Sequence, residues 1–504
     1  MIDVNKAKQK ILDLAIRGKL TKQLKSDVNA ADLFVLIQKE KEKLIKDKKI
    51  KNDKNIINDE IEEPFEIPEN WVWCRLGELI NVISGVSYKK EDVCTKGYRV
   101  LRGGNIQDNC IYIQDNDIFL PNNYYDNQKI VQENDVVIVA STGSKVAIGK
   151  PGVLLHYNEE IMIGAFLRIC RPICNKFSDY IKIIFKGDYY RNYIREVVAG
   201  TSINNIKESY LTNFVIPFPP LAEQKRIVEK VDKLFEILDK IDESQKKYQK
   251  DKEILKSKII EAGIRGKLTK QLKSDGNASD LLDEIRKEKE KLIKEGKIKR
   301  DKKETYIYKN LKDNLYYEKY QDGTEKCIND ELPFDIPDNW VWCRLGNIGR
   351  WGSGATPLTS NSKYYDKGTI PWILTGDLND RYILTASHYI TEKALNDCSL
   401  ELREKGSVLI AMYGATIGKL AILEIDATMN QACCACTVHK GINNKWLYYF
   451  LMCNKTSFVR KGSGGAQPNI SKEKITQTEV PLPPHAEQER IVGQIEELLT
   501  SIVS

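Results

Sequence analysis

The chain repeats itself. Residues Ile16–Asp27 (IRGKLTKQLKSD) recur letter for letter at Ile264–Asp275, and Asn70–Gly77 (NWVWCRLG) recurs at Asn339–Gly346. A third pair follows, PFPPLAEQKRIV ending at Val228 and PLPPHAEQERIV ending at Val492. Repeats this sharp, separated by a domain's length, predict a duplicated architecture with approximate two-fold symmetry. Between these anchors, Gly77–Ile216 and Gly346–Val480 share their length and a few glycine motifs but little else. A constant frame around two divergent inserts is the pattern of two modules directed at different targets.

At 504 residues, a prior of about 150 residues per domain gives roughly three or four units, which the repeats resolve as two globular modules plus helical connectors. A hydrophobic content of 41% is enough for packed cores, and 78 Lys+Arg against 71 Asp+Glu makes the chain mildly basic. Such a charge permits a polyanionic partner without requiring one. The amphipathic N-terminus lacks a signal-peptide core and no run of about 18 apolar residues occurs, so a cytoplasmic location away from membranes is expected. Of the 12 cysteines, several sit in apolar runs (Cys170, Cys433, Cys453) and read as reduced core residues. The run CCACTVH places Cys433, Cys436 and His439 close together. It has no second pair at zinc-ribbon spacing, and its alternation suits a core strand better than a metal site.

Apolar residues Ile227, Val231, Leu234, Leu238, Ile241, Tyr248, Leu255, Ile259 and Ala262 follow a heptad seam, interrupted by Gln245 and Lys252, that Gly266 can terminate. A helix over 221–265 would be about 65 Å long and act as a spacer. The C-terminal segment 486–504 repeats the first part of this helix, with Ile491, Ile495, Leu498 and Ile502 on the seam. The N-terminal segment 1–17 repeats its last part, with Ile11 and Leu14 on it. The central helix is therefore expected to pair antiparallel with both chain ends. After each RGKLTKQ comes a second amphipathic helix with an apolar stripe, Leu33, Ile37 and Leu44 in one copy and Leu281, Ile285 and Leu292 in the other. Its Lys/Glu-rich face reads as plain solvated surface, while the duplicated helix reads equally as a docking surface for two copies of a partner, with Leu33, Ile37, Leu44, Leu281, Ile285 and Leu292 as the docking candidates. The tracts 47–55 and 297–321 read as exposed linkers.

Each module opens with Ile-Pro-x-Asn-Trp-Val-Trp and continues in short β-branched runs, of which 136–140 and 408–412 look like central strands. Glycine turns follow, STGSKVAIGK from Ser141 and YGATIGK from Tyr413, and then a loop, GTSINNI from Gly200 and GGAQPNI from Gly464. Neither glycine turn has Walker A spacing or a hydroxyl residue after its lysine, so nucleotide hydrolysis is not indicated. A tight turn with a lysine and hydroxyl groups suits contact with a nucleic-acid backbone or base edge, and equally suits folding alone.

The NWVWCRLG openings, the GATP and IPWILTGDL run (Gly354–Leu378), the YGATIGK turn, the QPNIS loop and the PLPPHAEQERI exit together resemble the specificity (S) subunit of type I restriction-modification systems. The resemblance spans essentially the whole chain. It implies an α+β fold, with two mixed α/β target-recognition domains separated by long antiparallel coiled-coil helices in a pseudo-two-fold repeat. The domains would be residues 1–63 (N-terminal helical region), 64–220 (first recognition domain), 221–332 (central region), 333–484 (second recognition domain) and 485–504 (C-terminal helix). Each recognition domain would read one half of a bipartite site in double-stranded DNA. The helices would fix the gap and dock two modification (methyltransferase) subunits, which restriction subunits join. The chain itself would be non-catalytic and hold no cofactor or metal, with S-adenosylmethionine and any ATP and magnesium on the partners. In agreement, no Asn/Asp-Pro-Pro-Tyr/Phe methylation motif occurs in the sequence.

On this reading the DNA-contact candidates are Arg102, Asn105, Ser144, Lys145 and Asn204 in the first module. In the second they are Thr375, Asp377, Tyr413, Thr416, Lys419 and Gln467. The first module departs more from the family pattern, with LRGGNI from Leu101 where the second has LTGDLN from Leu374. Two rival readings make different demands. A fused methyltransferase or nuclease requires a cofactor motif, and a coiled-coil scaffold without a DNA role requires modules indifferent to nucleic acid.

Overall fold

Segments far apart in the chain meet at one carboxylate, and they do so twice. The protein is described here by a computed structural model covering residues 1–503 except 54, 55, 58, 108, 155–158, 200–203, 297–299, 302 and 463–468. It divides into two compact units, Met1–Lys247 and Tyr248–Ser504, each with one copy of every repeated motif. In the first, the fully buried Glu223 accepts hydrogen bonds from Thr21 Oγ1 (3.0 Å), Gln23 Nε2 (2.8 Å) and Trp71 Nε1 (2.8 Å). In the second, the fully buried Glu487 accepts from Thr269 Oγ1, Gln271 Nε2 and Trp340 Nε1, each at 2.9 Å. A carboxylate removed from water is tolerable only when its oxygens are hydrogen-bonded. The three repeated motifs are the pieces that supply this one contact.

Neighbouring residues of the same motifs complete the joint. Gln224 and Gln488 donate to the carbonyls of Pro219 (2.7 Å) and Pro483 (2.9 Å), fixing the proline exit to the helix that follows. Arg226 grips both oxygens of Asp27 (3.0 and 2.6 Å), and Arg490 those of Asp275 (2.9 and 2.6 Å). These hydrogen bonds hold both aspartates below the usual carboxylate range. Gly18 and Gly266 end their helices at φ +67° and +68°, and a Cβ there would lie 2.5 Å from Pro68 and 2.7 Å from Pro337. Both the backbone angle and the close packing call for glycine.

The opening strand Val72–Arg75 pairs antiparallel with the exit strand Val215–Phe218, and Val341–Arg344 with Glu479–Leu482. Each module thus leaves the frame and returns to it side by side, and the prolines after each exit strand stop the ladder. The exit leads into a 44-residue helix, Leu221–Ile264, in the first copy and into His485–Val503 in the second.

Within the first unit, the N-terminal helix Val4–Ile16 runs antiparallel to the long helix. Ile2 N donates to Gln245 Oε1 (2.7 Å), Gln245 Nε2 returns a bond to Ile2 O (3.1 Å), and Lys8 pairs with Asp239. Within the second, the C-terminal helix runs antiparallel to the end of the long helix, and Gly263 allows close approach, since a Cβ there would sit 2.8 Å from Ile495 Cδ1.

Three expectations need correction. First, Tyr248 and Leu255, placed on the seam, are 57% and 47% exposed, and the buried positions are Ile260, Gly263 and Ile264 rather than Ile259 and Ala262. Likewise Leu12, Ala15 and Ile16 are buried in place of Ile11 and Leu14. These turns pack into the cores around Trp71 and Trp340 as well as against a helix, so the apolar stripe follows the module.

Second, the stripes on helices Ala30–Lys46 and Ala278–Lys294 are not free docking faces. Ile37 and Ile285 are buried in their own module's core, Leu33 and Leu281 pack against it, and Leu44 and Leu292 are half-buried. Burial of these side chains holds each helix onto its module.

Third, the second linker contains strands. Tyr306–Lys309, Tyr316–Lys319 and Glu325–Cys327 form an antiparallel meander whose Ile307 packs with Trp342, and the buried Glu318 takes two bonds from Arg344 (2.9 and 2.6 Å). The alternation Tyr306-Ile-Tyr308 carried that signal among the lysines.

Replacing Glu223 by Gln puts a donor among donors, at an expected cost of about 2–3 kcal/mol. Hydrogen exchange at Ala30 N–H, which bonds Asn70 O (3.0 Å), is expected to speed up by about 30- to 150-fold. The matching amide of Ala278 serves as an internal control and should not change.

Candidate nucleic-acid interface

Each module builds one edge from four loops, held there by backbone hydrogen bonds between neighbouring strand ends. In the first module a six-stranded sheet runs in the order Ile80–Ser84, Leu167–Pro172, Val136–Val139, Pro151–Val153, Cys110–Ile111, Ile106–Gln107. A smaller sheet pairs Tyr98–Leu101 in parallel with Ile161–Ile163. Gly164 N bonds Leu101 O (2.9 Å), Ala140 N and Ser141 N bond Phe166 O (2.8 and 3.1 Å), and Ile206 N bonds Ala140 O (2.7 Å). Asn204 and Asn205 pair antiparallel with Thr142 and Ser141. The loops after residues 101 and 140, the turn 164–166 and the segment 204–205 are therefore contiguous.

The second module repeats the arrangement around its five-stranded sheet, with buried Val408–Ala411 between Cys433–Val438 and Leu420–Leu423. Asn430 N bonds Ile373 O (3.0 Å), Met412 N bonds Ala432 O (2.8 Å), Ile470 N bonds Met412 O (2.9 Å), and Tyr413 bridges Asn469.

These edges bring together Arg102, Ser144, Lys145 and Asn204 in one module, and Thr375, Asp377, Tyr413 and Thr416 in the other. Lys419 lies where the hairpin returns, with its carbonyl bonded to Ala411 N (2.9 Å). Gln467 and the side chain of Asn204 lie outside the described residues.

Placement separates two kinds of residue. Asn105 is 1% exposed; its Oδ1 accepts from Arg102 N (2.8 Å), and its Nδ2 donates to Tyr112 O (2.9 Å) and Asp117 Oδ1 (2.6 Å). Its hydrogen-bonding capacity is used within the fold, which removes it as a base reader. Asp377 Oδ2 closes the equivalent turn by accepting from Leu374 N (2.8 Å). Arg102 therefore corresponds to Leu374, one position off the match of Leu101 with Leu374 that the letters suggest. Ser144 Oγ accepts from Ala147 N (3.3 Å), and Thr416 Oγ1 donates to Tyr413 O (2.9 Å), so both hydroxyls shape their turns.

The outward groups are different ones. Lys145 is exposed, Arg102 is exposed with Nη2 on Asn116 O (2.8 Å), and Tyr413 is 41% exposed. The STGSKVAIGK loop is held from beneath by the buried Arg191, whose guanidinium bonds the carbonyls of Ile148 and Val146. Two outward residues escaped the sequence reading: Val146 and Phe166, each 67% exposed. Only their position in loops, unreadable without the strand register, distinguishes them from core residues.

Cys433, Cys434 and Cys436 lie on the buried strand Cys433–Val438, and burial pushes their thiols up, that of Cys434 to about 12. Metal binding needs thiolates, and among the described residues no His/Cys/Asp/Glu group is placed to hold a metal. Among them, too, no helix is long and apolar enough to cross a membrane.

The family model for the type I restriction modification DNA specificity domain matches residues 68–249 and 337–502. This chain belongs to that family. Its two specificity domains are the two spans just described, each beginning at its Pro-x-Asn-Trp opening. Curated relatives include the type I restriction enzyme EcoAI specificity subunit of Escherichia coli, 24% identical over 98% of this chain and 89% of that one. The EcoKI specificity subunit of Escherichia coli (strain K12) is 34% identical over 41% of this chain and 45% of that one. A solved structure described under complex assembly and conformational transition of the type I R-M system shares the fold, with TM-score 0.58 and 19% identity over 87% of this chain and 93% of that one.

His439, at the end of the cysteine strand, is pushed down to about 4 by burial, then by Lys289 and Arg350. Between that value and 6.5 the unfolded chain binds the proton that the folded chain refuses, so stability falls as pH drops through this window. Denaturant titrations should show that His439→Asn flattens the pH dependence of the second domain between pH 6.5 and 4.

Proposed function

We propose that the chain is the non-catalytic DNA-reading subunit of a type I restriction-modification complex, each specificity domain reading one half of a bipartite duplex site. The observation that carries this reading is the four-loop edge. It is built by matching backbone bonds in both domains, yet carries different side chains: Arg102, Lys145, Val146 and Phe166 in one, Thr375 and Tyr413 in the other. A frame that fixes the edge and leaves its chemistry free is what two independent readers require. Exposed Lys145 and Arg102 suit phosphates, which position the duplex, while the remaining outward groups suit base edges, which specify sequence.

The partners in this reading are two methyltransferase subunits carrying S-adenosylmethionine, together with restriction subunits. Because the leucine stripes of helices Ala30–Lys46 and Ala278–Lys294 face inward, a partner meets their Lys/Glu faces instead. The long helix would set the gap between half-sites, about 34 Å centre to centre for one helical turn of DNA. Methylation by the partner would require extrusion of the target adenine from the duplex.

The purified chain, with and without its methyltransferase partner, can be offered S-adenosylmethionine and host DNA. Methylation only in the mixture is expected. Methylation by the chain alone would make it an enzyme, and absence of DNA binding in both samples would leave a scaffold. Exchanging Gly346–Val480 for a relative's equivalent should change one half of the methylated motif and spare the other; a change in both halves would refute independent reading. Lys145→Ala should weaken binding equally on all sequences and reduce the salt slope by about one unit.

A further inference from the structure

Phe166 stands out against its surroundings. From Ile161 to Cys170 every residue is buried or half-buried except this one, which is 67% exposed. Its turn is rigidly tied. The Phe166 carbonyl takes two backbone bonds from the next strand end, Leu167 N bonds Gly164 O (2.9 Å), and Arg168 Nη1 donates to the carbonyls of Ala165 and Leu167, both at 2.9 Å. Burying a phenylalanine gains about 1.5–3 kcal/mol, and the fold forgoes that gain here by holding the ring outward on a fixed turn. The loop tied to it presents a second exposed apolar side chain, Val146, beside the hydroxyls of Thr142 and Ser144. At the same backbone position the second domain has Ala432, whose carbonyl makes the matching bond to Met412 N. The ring therefore belongs to the divergent cargo of the first domain and not to the shared frame.

We infer that Phe166 reads a thymine 5-methyl group in the major groove of the first domain's half-site. This rests on the DNA-reading function proposed above. The 5-methyl is the largest apolar group on the major-groove base edges, and an aliphatic or aromatic side chain can recognise it. A rigid turn suits this task because the contact is short-ranged and carries no hydrogen bond to guide it. At this position the second domain has only the shorter, half-buried Ala432.

The test uses the complex of the chain with its methyltransferase partner and a duplex bearing the mapped methylation motif. Each thymine on either strand is replaced in turn by deoxyuridine, which lacks only the methyl. Wild type should lose about four- to tenfold in affinity at one thymine of the first half-site. Phe166→Ala should bind the thymine duplex correspondingly less tightly and become indifferent to uridine there, with Phe166→Leu in between. Substitutions in the second half-site should affect wild type and variant alike. If Phe166→Ala binds specifically but keeps the full thymine preference, or if 2-aminopurine beside the site reports unstacking that only Phe166 produces, methyl reading is overturned and DNA recognition by the chain stands. If wild type fails to prefer the motif over unrelated DNA, the DNA-reading function itself fails.

Discussion

A single buried carboxylate organises each half of this protein. Glu223 and Glu487 sit where a helix start, a glycine-terminated helix end and a tryptophan opening must all arrive together, and each accepts from a hydroxyl, an amide and an indole N–H. The geometry leaves little latitude. Aspartate is one methylene too short to reach the same donors, glutamine presents a donor of its own, and loss of any one partner leaves a charge short of a hydrogen bond away from water. This explains why the motifs survive nearly letter for letter in both copies while the sequence between them has drifted.

The consequence is a division of labour within each domain. Opening and exit strands pair side by side, so whatever lies between them is hung from the frame at a fixed place. The sheets then supply strand ends at set positions, and the four loops meet because the backbone groups of those ends bond one another. Backbone bonds do not depend on side-chain identity. The edge can therefore change its chemistry, from Phe166 and Lys145 to Ala432 and Tyr413, without disturbing the scaffold beneath.

Much of the frame was legible because its signals are local or repeated: the helix stop at Gly266, the length of the long helix and its first seam positions Ile227 and Val231, the buried β-branched runs at 136 and 408. The convergence of the three motifs on one glutamate was not, since each donor is a common residue whose partner lies far away in sequence. The inward turn of Ile37 and Ile285 was missed for a related reason, as an apolar stripe does not say which surface it covers. At the edge, polar residue type drew attention to Asn105, which folding uses up, and passed over Phe166, which folding leaves out. Separating the two needs the strand register, and the sequence pattern alone does not supply it.

Two unlike readers are carried by one repeated frame. Single-molecule mapping of methylated adenines in host DNA, with and without the gene for this chain, tests it most directly. The account predicts a motif of two different halves separated by a fixed unspecified gap, with one methylated adenine in each half, lost when the gene is removed. A continuous motif, or a motif with two identical halves, would contradict it.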